Sequence, residues 1–337
     1  MKTTPVSLTS TQRTRTFAQP DRVARGWTWA LASDELGRGQ VAGVRVLGRD
    51  LVVWRGDDAV VRAADAYCPH MGAHLKEGRV DGDGIRCFFH DWKFGPTGHL
   101  LHVPCLDRPP PASLQCWPVA EALGLIWVWP GPEPDRPPPY VPDLDGTATT
   151  TQVQPPFTER CHPNVVLVNA IDEHHFNTVH DLPVHLYMAS DVIDGSTIRF
   201  RNTTPPSKTH PVGRWLTPLY AGALTYEACY HSGSVGTITL GPDAAHFHLV
   251  FALRLTDEGG TEGRRVLVCR ERSRVRDAMA LGLTNVVANY FAKGDGQIFE
   301  SIRFDFATPT SADHAIIDFV RHVEEQPAIR FGSWEDA

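Results

Sequence analysis

Cysteine is scarce in this chain: seven in 337 residues. They are too few and too scattered for a disulfide framework. No apolar run is long enough to span a bilayer. The N-terminus, MKTTPVSLTSTQRTRTFAQP, lacks the apolar core of a secretory signal, and Arg13 and Arg15 do not form a twin-arginine pair, so a cytoplasmic protein is expected. Basic residues are outnumbered 32 to 39, and the net charge of −7 argues against nucleic acid as the main partner. No Gly-rich dinucleotide fingerprint occurs, so a nicotinamide is expected to bind elsewhere. No internal repeat is visible.

Cysteine paired with histidine, by contrast, is present in a pattern. Cys68-Pro69-His70 is followed after sixteen residues by Cys87-Phe88-Phe89-His90. Two chemistries fit such a set: a tetrahedral zinc, or a Rieske cluster whose two irons are held by two cysteines and two histidines. In finger-type zinc sites the cysteines form one close pair and the histidines another. Here each close pair mixes the two types, which suits a two-iron cluster gripped by two loops. Pro69, Gly72, Gly78, Gly82 and Gly84 read as turn formers around those loops. The other thiols, Cys105, Cys116, Cys161, Cys229 and Cys269, read as buried and free.

Residues 66–104, including His90-Asp91-Trp92-Lys93-Phe94 and Gly98, closely resemble the Rieske domain of Rieske non-haem iron oxygenases. Respiratory Rieske proteins usually carry an extra cysteine in each ligand loop. Here Met71 and Phe88 stand in those loops and neither holds a spare thiol. The resemblance is therefore to the oxygenase or Rieske-ferredoxin type.

At this length two domains are expected. Residues 1–25 read as a mobile polar tail. From Gly26, strand-like segments at 27–32, 44–47, 50–55, 85–89 and 125–130 predict an all-β domain over 26–132. Residues 133–148, rich in proline, read as a stiff connector. Within 149–337 the pattern predicts a strand at 149–153 and a helix over about 164–180. Strands follow within 197–201, 223–230, 236–240, 246–255 and 265–271, then helices over about 275–291 and 312–325. The predicted class is α+β with an antiparallel sheet. The resemblance implies the helix-grip catalytic domain of the same oxygenases.

The helical stretch carries Asp172-Glu173-His174-His175-Phe176-Asn177-Thr178-Val179-His180. Asp172 and His175 are three apart and share a helical face. His175 and His180 are five apart, so a bulge, bend or helix end is needed for both to face one ion. Two imidazoles and a carboxylate on one face of an iron leave positions open for dioxygen. Asn169-x-x-Asp172-x-x-His175-x-x-x-x-His180 matches the mononuclear-iron motif of Rieske oxygenases at every motif position. The match implies His175 and His180 as iron ligands, Asn169 beside them, and His174 out of register in the surroundings or the pocket wall. In the family an Asp on a late helix, ahead of an apolar pair, completes the triad. Asp295 before Ile298-Phe299 looks like it, with Glu300 and Asp305 as rivals. The family role implied for Asp172 is a hydrogen-bonded electron bridge from His175 to His90 of a neighbouring subunit, which implies a homotrimer.

The implied function is a terminal oxygenase. It would take electrons from NAD(P)H through a flavin reductase or ferredoxin, use O2, and hydroxylate, dihydroxylate, demethylate or desaturate a small organic substrate. Lys76, Arg79, Arg86 and Lys93 are candidates for docking an acidic ferredoxin. The cluster region resembles the group that includes steroid hydroxylases and sterol desaturases. The C-terminal segment from Phe304 departs from theirs, which counts against a steroid. Tyr226, Tyr230, His246, His248 and Phe251 are candidate pocket residues, each equally readable as core. An electron carrier without oxygenase activity and a zinc-stabilised binding protein are the competing readings.

Overall fold

The structure, a computed structural model, describes residues 14–180, 186–208, 214–215, 217–292 and 294–336. The chain divides into two compact units. One is Gly26–Pro139 with Arg330–Glu335; the other is Tyr140–Ile329 with Asp336 and the described residues before Gly26.

The first unit is built of antiparallel strands and short turns. A four-stranded sheet joins Val41–Val46, Arg49–Arg55, Val61–Asp65 and Cys116–Trp117, and a three-stranded sheet joins Thr28–Ala32, Val119–Ala122 and Leu125–Val128. A smaller four-stranded sheet, Arg79–Asp81, Gly84–Arg86, Lys93–Phe94 and Leu100–His102, carries the ligand loops. Val52, Trp54, Leu75, Ile85 and Phe94 are fully buried and pack with Cys68 and Cys87 in one core cluster. Two of the glycines read as turn formers serve close approach instead. A Cβ on Gly78 would lie 2.1 Å from the Arg86 carbonyl oxygen, and one on Gly84 2.1 Å from that of Phe94.

The second unit centres on an eight-stranded antiparallel sheet in the order Thr149–Val153, Thr261–Arg270, Phe247–Leu255, Val235–Leu240, Tyr226–His231, Thr197–Asn202 and Met188–Val192. Phe157–Glu159 also pairs with Thr261–Arg270. Helix α1 is Pro163–Val168, α2 Glu173–Thr178, α3 Arg274–Ala292, α4 Asp295–Ser301 and α5 His314–Glu325. Helix α3 lies against Phe247–Leu255 and Thr261–Arg270, and α5 against Met188–Val192 and Thr197–Asn202. The α+β class, with helices on an antiparallel sheet, is what the sequence pattern predicts.

Three expectations fail. The tail does not extend to residue 25: Phe17 is fully buried against Phe304 and Phe319, and the Glu324 carboxylate accepts the backbone N–H groups of Arg15, Thr16 and Phe17. Residues 1–13 lie outside the described residues. The helix expected over 164–180 is two helices with a break between them. Cys105 is exposed and Cys116 half-buried, so only Cys161, Cys229 and Cys269 are the buried free thiols expected.

Candidate metal centres

The two ligand loops of the first unit present their side chains unequally. Cys68 and Cys87 are buried, 3% and 2% exposed, while His70 and His90 are exposed. Backbone bonds close both loops: Cys68 N–H to Ala73, Gly72 N–H to Cys68, Cys87 N–H to Trp92, and Asp91 N–H to Cys87, all at 2.9–3.1 Å. Asp91 adopts φ +54°, a conformation non-glycine residues rarely hold, and its carboxylate is fixed by Arg79 and Arg86 at 2.5 and 2.9 Å. The His70 and His90 rings lie 4.7 Å apart and His70 stacks on Trp92 at 4.4 Å. Met71, Phe88 and Phe89 are exposed beside them. Burial pushes the Cys68 thiol up to about 11, with Cys87 adding to the effect. Cationic iron at that position would offset this by favouring thiolates.

The basic residues around these loops are tied by ion pairs. Arg86 pairs with Asp81 and Asp91, Lys93 with Asp81, and Arg79 with Asp91. Three of the four cations proposed for ferredoxin docking thus brace the ligand loops.

The second cluster is organised by the broken helix. Pro163 opens α1, and the His162 ring accepts the Asn164 N–H. After Val168 the chain leaves the helix. Asp172 then caps α2, its carboxylate accepting the N–H groups of His174 and His175 at 3.0 and 3.1 Å. A break frees carbonyls, and the sheet answers it: Tyr230 Oη donates to Leu167 O at 2.5 Å and Tyr226 Oη to Ala170 O at 2.7 Å. Helix α2 ends at Thr178. That end lets His180 turn back toward His175, five positions earlier.

His175 Nε2 and His180 Nε2 lie 3.0 Å apart, and each is 3.1 Å from Asp295 Oδ1. Donors bound at 2.0–2.2 Å on adjacent positions of one ion are separated by about 3 Å. The three atoms therefore fit one metal, and two imidazoles and a carboxylate suit non-haem iron. Asn169 Nδ2 lies 3.2 Å from His175 Nε2. Burial lowers the pKa of His180, against the opposing pull of Asp295, which keeps the ring in its neutral, metal-binding form. Asp295 begins α4, behind Gly294 at φ +107°, a left-handed position open to glycine. Its rivals, Glu300 and Asp305, are exposed. So is His174, which is neither beside the trio nor in the cavity wall.

Among the described residues this is the one group of His, Cys, Asp and Glu with three ligand atoms mutually within 4.8 Å. Cys68, His70, Cys87 and His90 do not meet that spacing. A single tetrahedral zinc would need its donors closer, roughly 3–4 Å apart, so a two-iron cluster is the better fit.

A cavity of about 290 Å³ opens onto His175, His180 and Asp295. Its wall is mostly apolar and includes Tyr226, Tyr230 and Phe251. His246 and His248 are not part of it. Side chains alternate along a strand, so Leu249 and Phe251 face the cavity and His248 the other side. His248 meets Thr239, and both imidazoles lie near Asp143, His246 at 2.8 Å. Sequence reading missed Glu159 and Arg265, which line the cavity. The alternation of Thr261–Arg270 could have revealed Arg265.

The Rieske [2Fe-2S] domain family matches residues 26–118. A probable 3-ketosteroid-9-alpha-monooxygenase oxygenase component from Rhodococcus rhodochrous is 36% identical over 168 residues, 48% of this chain and 42% of the relative. The cholesterol 7-desaturase of Drosophila melanogaster is 33% identical over 215 residues, 62% of this chain and 48% of the relative. The chain carries a Rieske [2Fe-2S] domain over residues 26–118. It covers less than half the length of these curated relatives. Two solved structures share the chain's fold. A Pseudomonas putida CBB5 NdmA mutant with caffeine has a TM-score of 0.70, 20% identity, and coverage of 89% of this chain and 90% of that one. Dicamba monooxygenase bound to dicamba has a TM-score of 0.68, 22% identity, and coverage of 90% and 96%.

Proposed function

We propose that this chain is the terminal oxygenase of a Rieske system and oxidises a small, largely apolar organic molecule with O2. The convergence of His175, His180 and Asp295 at the wall of an apolar cavity carries this reading. An electron carrier has no use for such a cavity. In this proposal Cys68, His70, Cys87 and His90 hold the [2Fe-2S] cluster, and His175, His180 and Asp295 hold one iron, over a Rieske domain of 26–132, a connector of 133–148 and a catalytic domain beyond. When bound, the two centres would supply one-electron transfer and dioxygen activation.

The remaining chemistry belongs to the residues. Asp172 fixes the first turn of α2 and so aims His175. Asn169 lies against the His175 ring and helps to orient it. Tyr226 and Tyr230 hold the helix break open by donating to its carbonyls. The apolar wall excludes water from the reacting substrate.

Electrons are proposed to come from NAD(P)H through a separate flavin reductase or ferredoxin, and the assembly to be a homotrimer in which Asp172 bridges to His90 of the next subunit. The exposed imidazoles of His70 and His90, ringed by exposed Met71, Phe88 and Phe89, suit burial against another protein surface. The proposed location is the cytoplasm; among the described residues no helix is long and apolar enough to cross a membrane.

A single-turnover experiment tests the reading. Chemically reduced protein is mixed with O2 and a panel of apolar substrates, and products are read by mass. A hydroxylated, demethylated or desaturated product is expected. Reoxidation with no product from any of the panel would favour the electron carrier.

A further inference from the structure

The cavity carries two charges that iron binding does not use. Arg265 lies on the cavity-facing side of Thr261–Arg270, directly across from Phe251. The same row continues through Gly236 to Tyr230. Three strand spacings, roughly 14 Å, therefore separate Arg265 from the tyrosine that holds the helix break. Tyr226, on the Tyr230 strand, packs its ring 5.3 Å from Phe176, the residue after His175. The second charge, Glu159, ends the short strand paired with Thr261–Arg270 and also lines the cavity.

The other polar groups of the wall are already engaged. Tyr226 and Tyr230 donate to backbone carbonyls, and Asn169 lies against His175. Among the described residues the Arg265 side chain makes one long hydrogen bond, 3.3 Å to Asn289, which occupies one of the five N–H donors of a guanidinium. No hydrogen bond or ion pair among the described residues joins Glu159 to Arg265. Arg265 is half-buried at the cavity wall, with guanidinium donors open to a ligand in the cavity.

We propose that Arg265 is the polar anchor of the substrate site: it binds an acceptor oxygen, carbonyl or carboxylate, at one end of an apolar skeleton. The skeleton then lies across the sheet, with its other end toward His175, His180 and Asp295. Glu159 adds a negative charge to the same cavity and favours the neutral carbonyl over the carboxylate. This inference rests on the oxygenase reading for its biological meaning, but its test reads binding and needs no turnover.

The experiment titrates the purified full chain with three probes of one two-ring skeleton: the hydrocarbon, its ketone and its carboxylate. Hydrogen bonds to a charged donor correspond to about tenfold or more in affinity. The oxygenated probes should bind the native chain at least about tenfold tighter than the hydrocarbon. Arg265→Gln should erase that advantage and leave hydrocarbon binding unchanged. Glu159→Gln should tighten the carboxylate selectively, a readout that loss of structure would not produce. Equal binding of the three probes, absence of binding by the oxygenated pair, or equal weakening of all three in Arg265→Gln would overturn the proposal. If the oxygenated probes bind through Arg265 but no product forms on turnover, the anchor stands and the oxygenase reading falls.

Discussion

Asp295, Glu300 and Asp305 are indistinguishable as isolated acidic letters, and burial separates them. Asp295 is brought to 3.1 Å from both imidazoles, while its rivals face solvent. Asp295→Ala should therefore lower iron content by about one per chain without changing acid-labile sulfide, and Glu300→Gln should change neither. Iron and sulfide assays on the two variants decide the matter. The tyrosines make a different demand. Tyr230→Phe leaves the ring but removes the hydroxyl donor to Leu167 O, which still accepts the Ala170 N–H, so the cost should be about 1 kcal/mol. A urea melt should show that loss. An unchanged midpoint would mean water replaces the hydroxyl.

The break between α1 and α2 is the element on which the site depends. Its consequence was partly legible: a spacing of five between His175 and His180 does not fit one helical face, so some irregularity had to intervene. Its location was not legible, because Val165–Ile171 is apolar except for Asn169, and a lone Asn is only a weak stop signal. The break is stabilised from the sheet, by Tyr226 and Tyr230, at long range in sequence. Likewise the strand Met188–Val192 and helix α4 escaped the pattern, being short and, at Ser190-Asp191 and Asp295-Gly296, polar. The ligand loops are marked locally in the sequence, since metal chemistry constrains residue type and spacing. Asp172 can be tested at this scale. Asparagine caps helices as well as aspartate does, so Asp172→Asn should keep the fold and both metal contents. Its loss of charge should still slow electron delivery to the iron by at least about tenfold, if the bridge works through second-sphere hydrogen bonding. Rapid-mixing reoxidation kinetics would reveal it. Native kinetics in a fully loaded variant would confine Asp172 to capping.

At the scale of the whole molecule, buried imidazoles set the response to acid. Desolvation holds His162 and His231 down to about 4, against about 6.5 in an unfolded chain. Between those values the unfolded chain binds more protons than the folded one. Stability is thus unaffected above about pH 6.5, falls as pH drops through the window, and is fully reduced below about 4. At pH 5 each imidazole costs on the order of 2 kcal/mol. Urea midpoints at pH 7.5 and 5 should differ accordingly. His231→Asn should narrow that difference even while losing stability at pH 7.5, because one of the titrating groups is gone. A flat profile would mean that these rings are hydrated in solution.

The most direct test of the oxygenase assignment is a metal inventory of the purified chain, by iron and acid-labile sulfide analysis with EPR of the reduced state. About three irons and two sulfides per chain, a Rieske signal, and loss of one iron alone in His175→Ala are predicted. Zinc without sulfide, or a cluster with no further iron in the native chain, would contradict it.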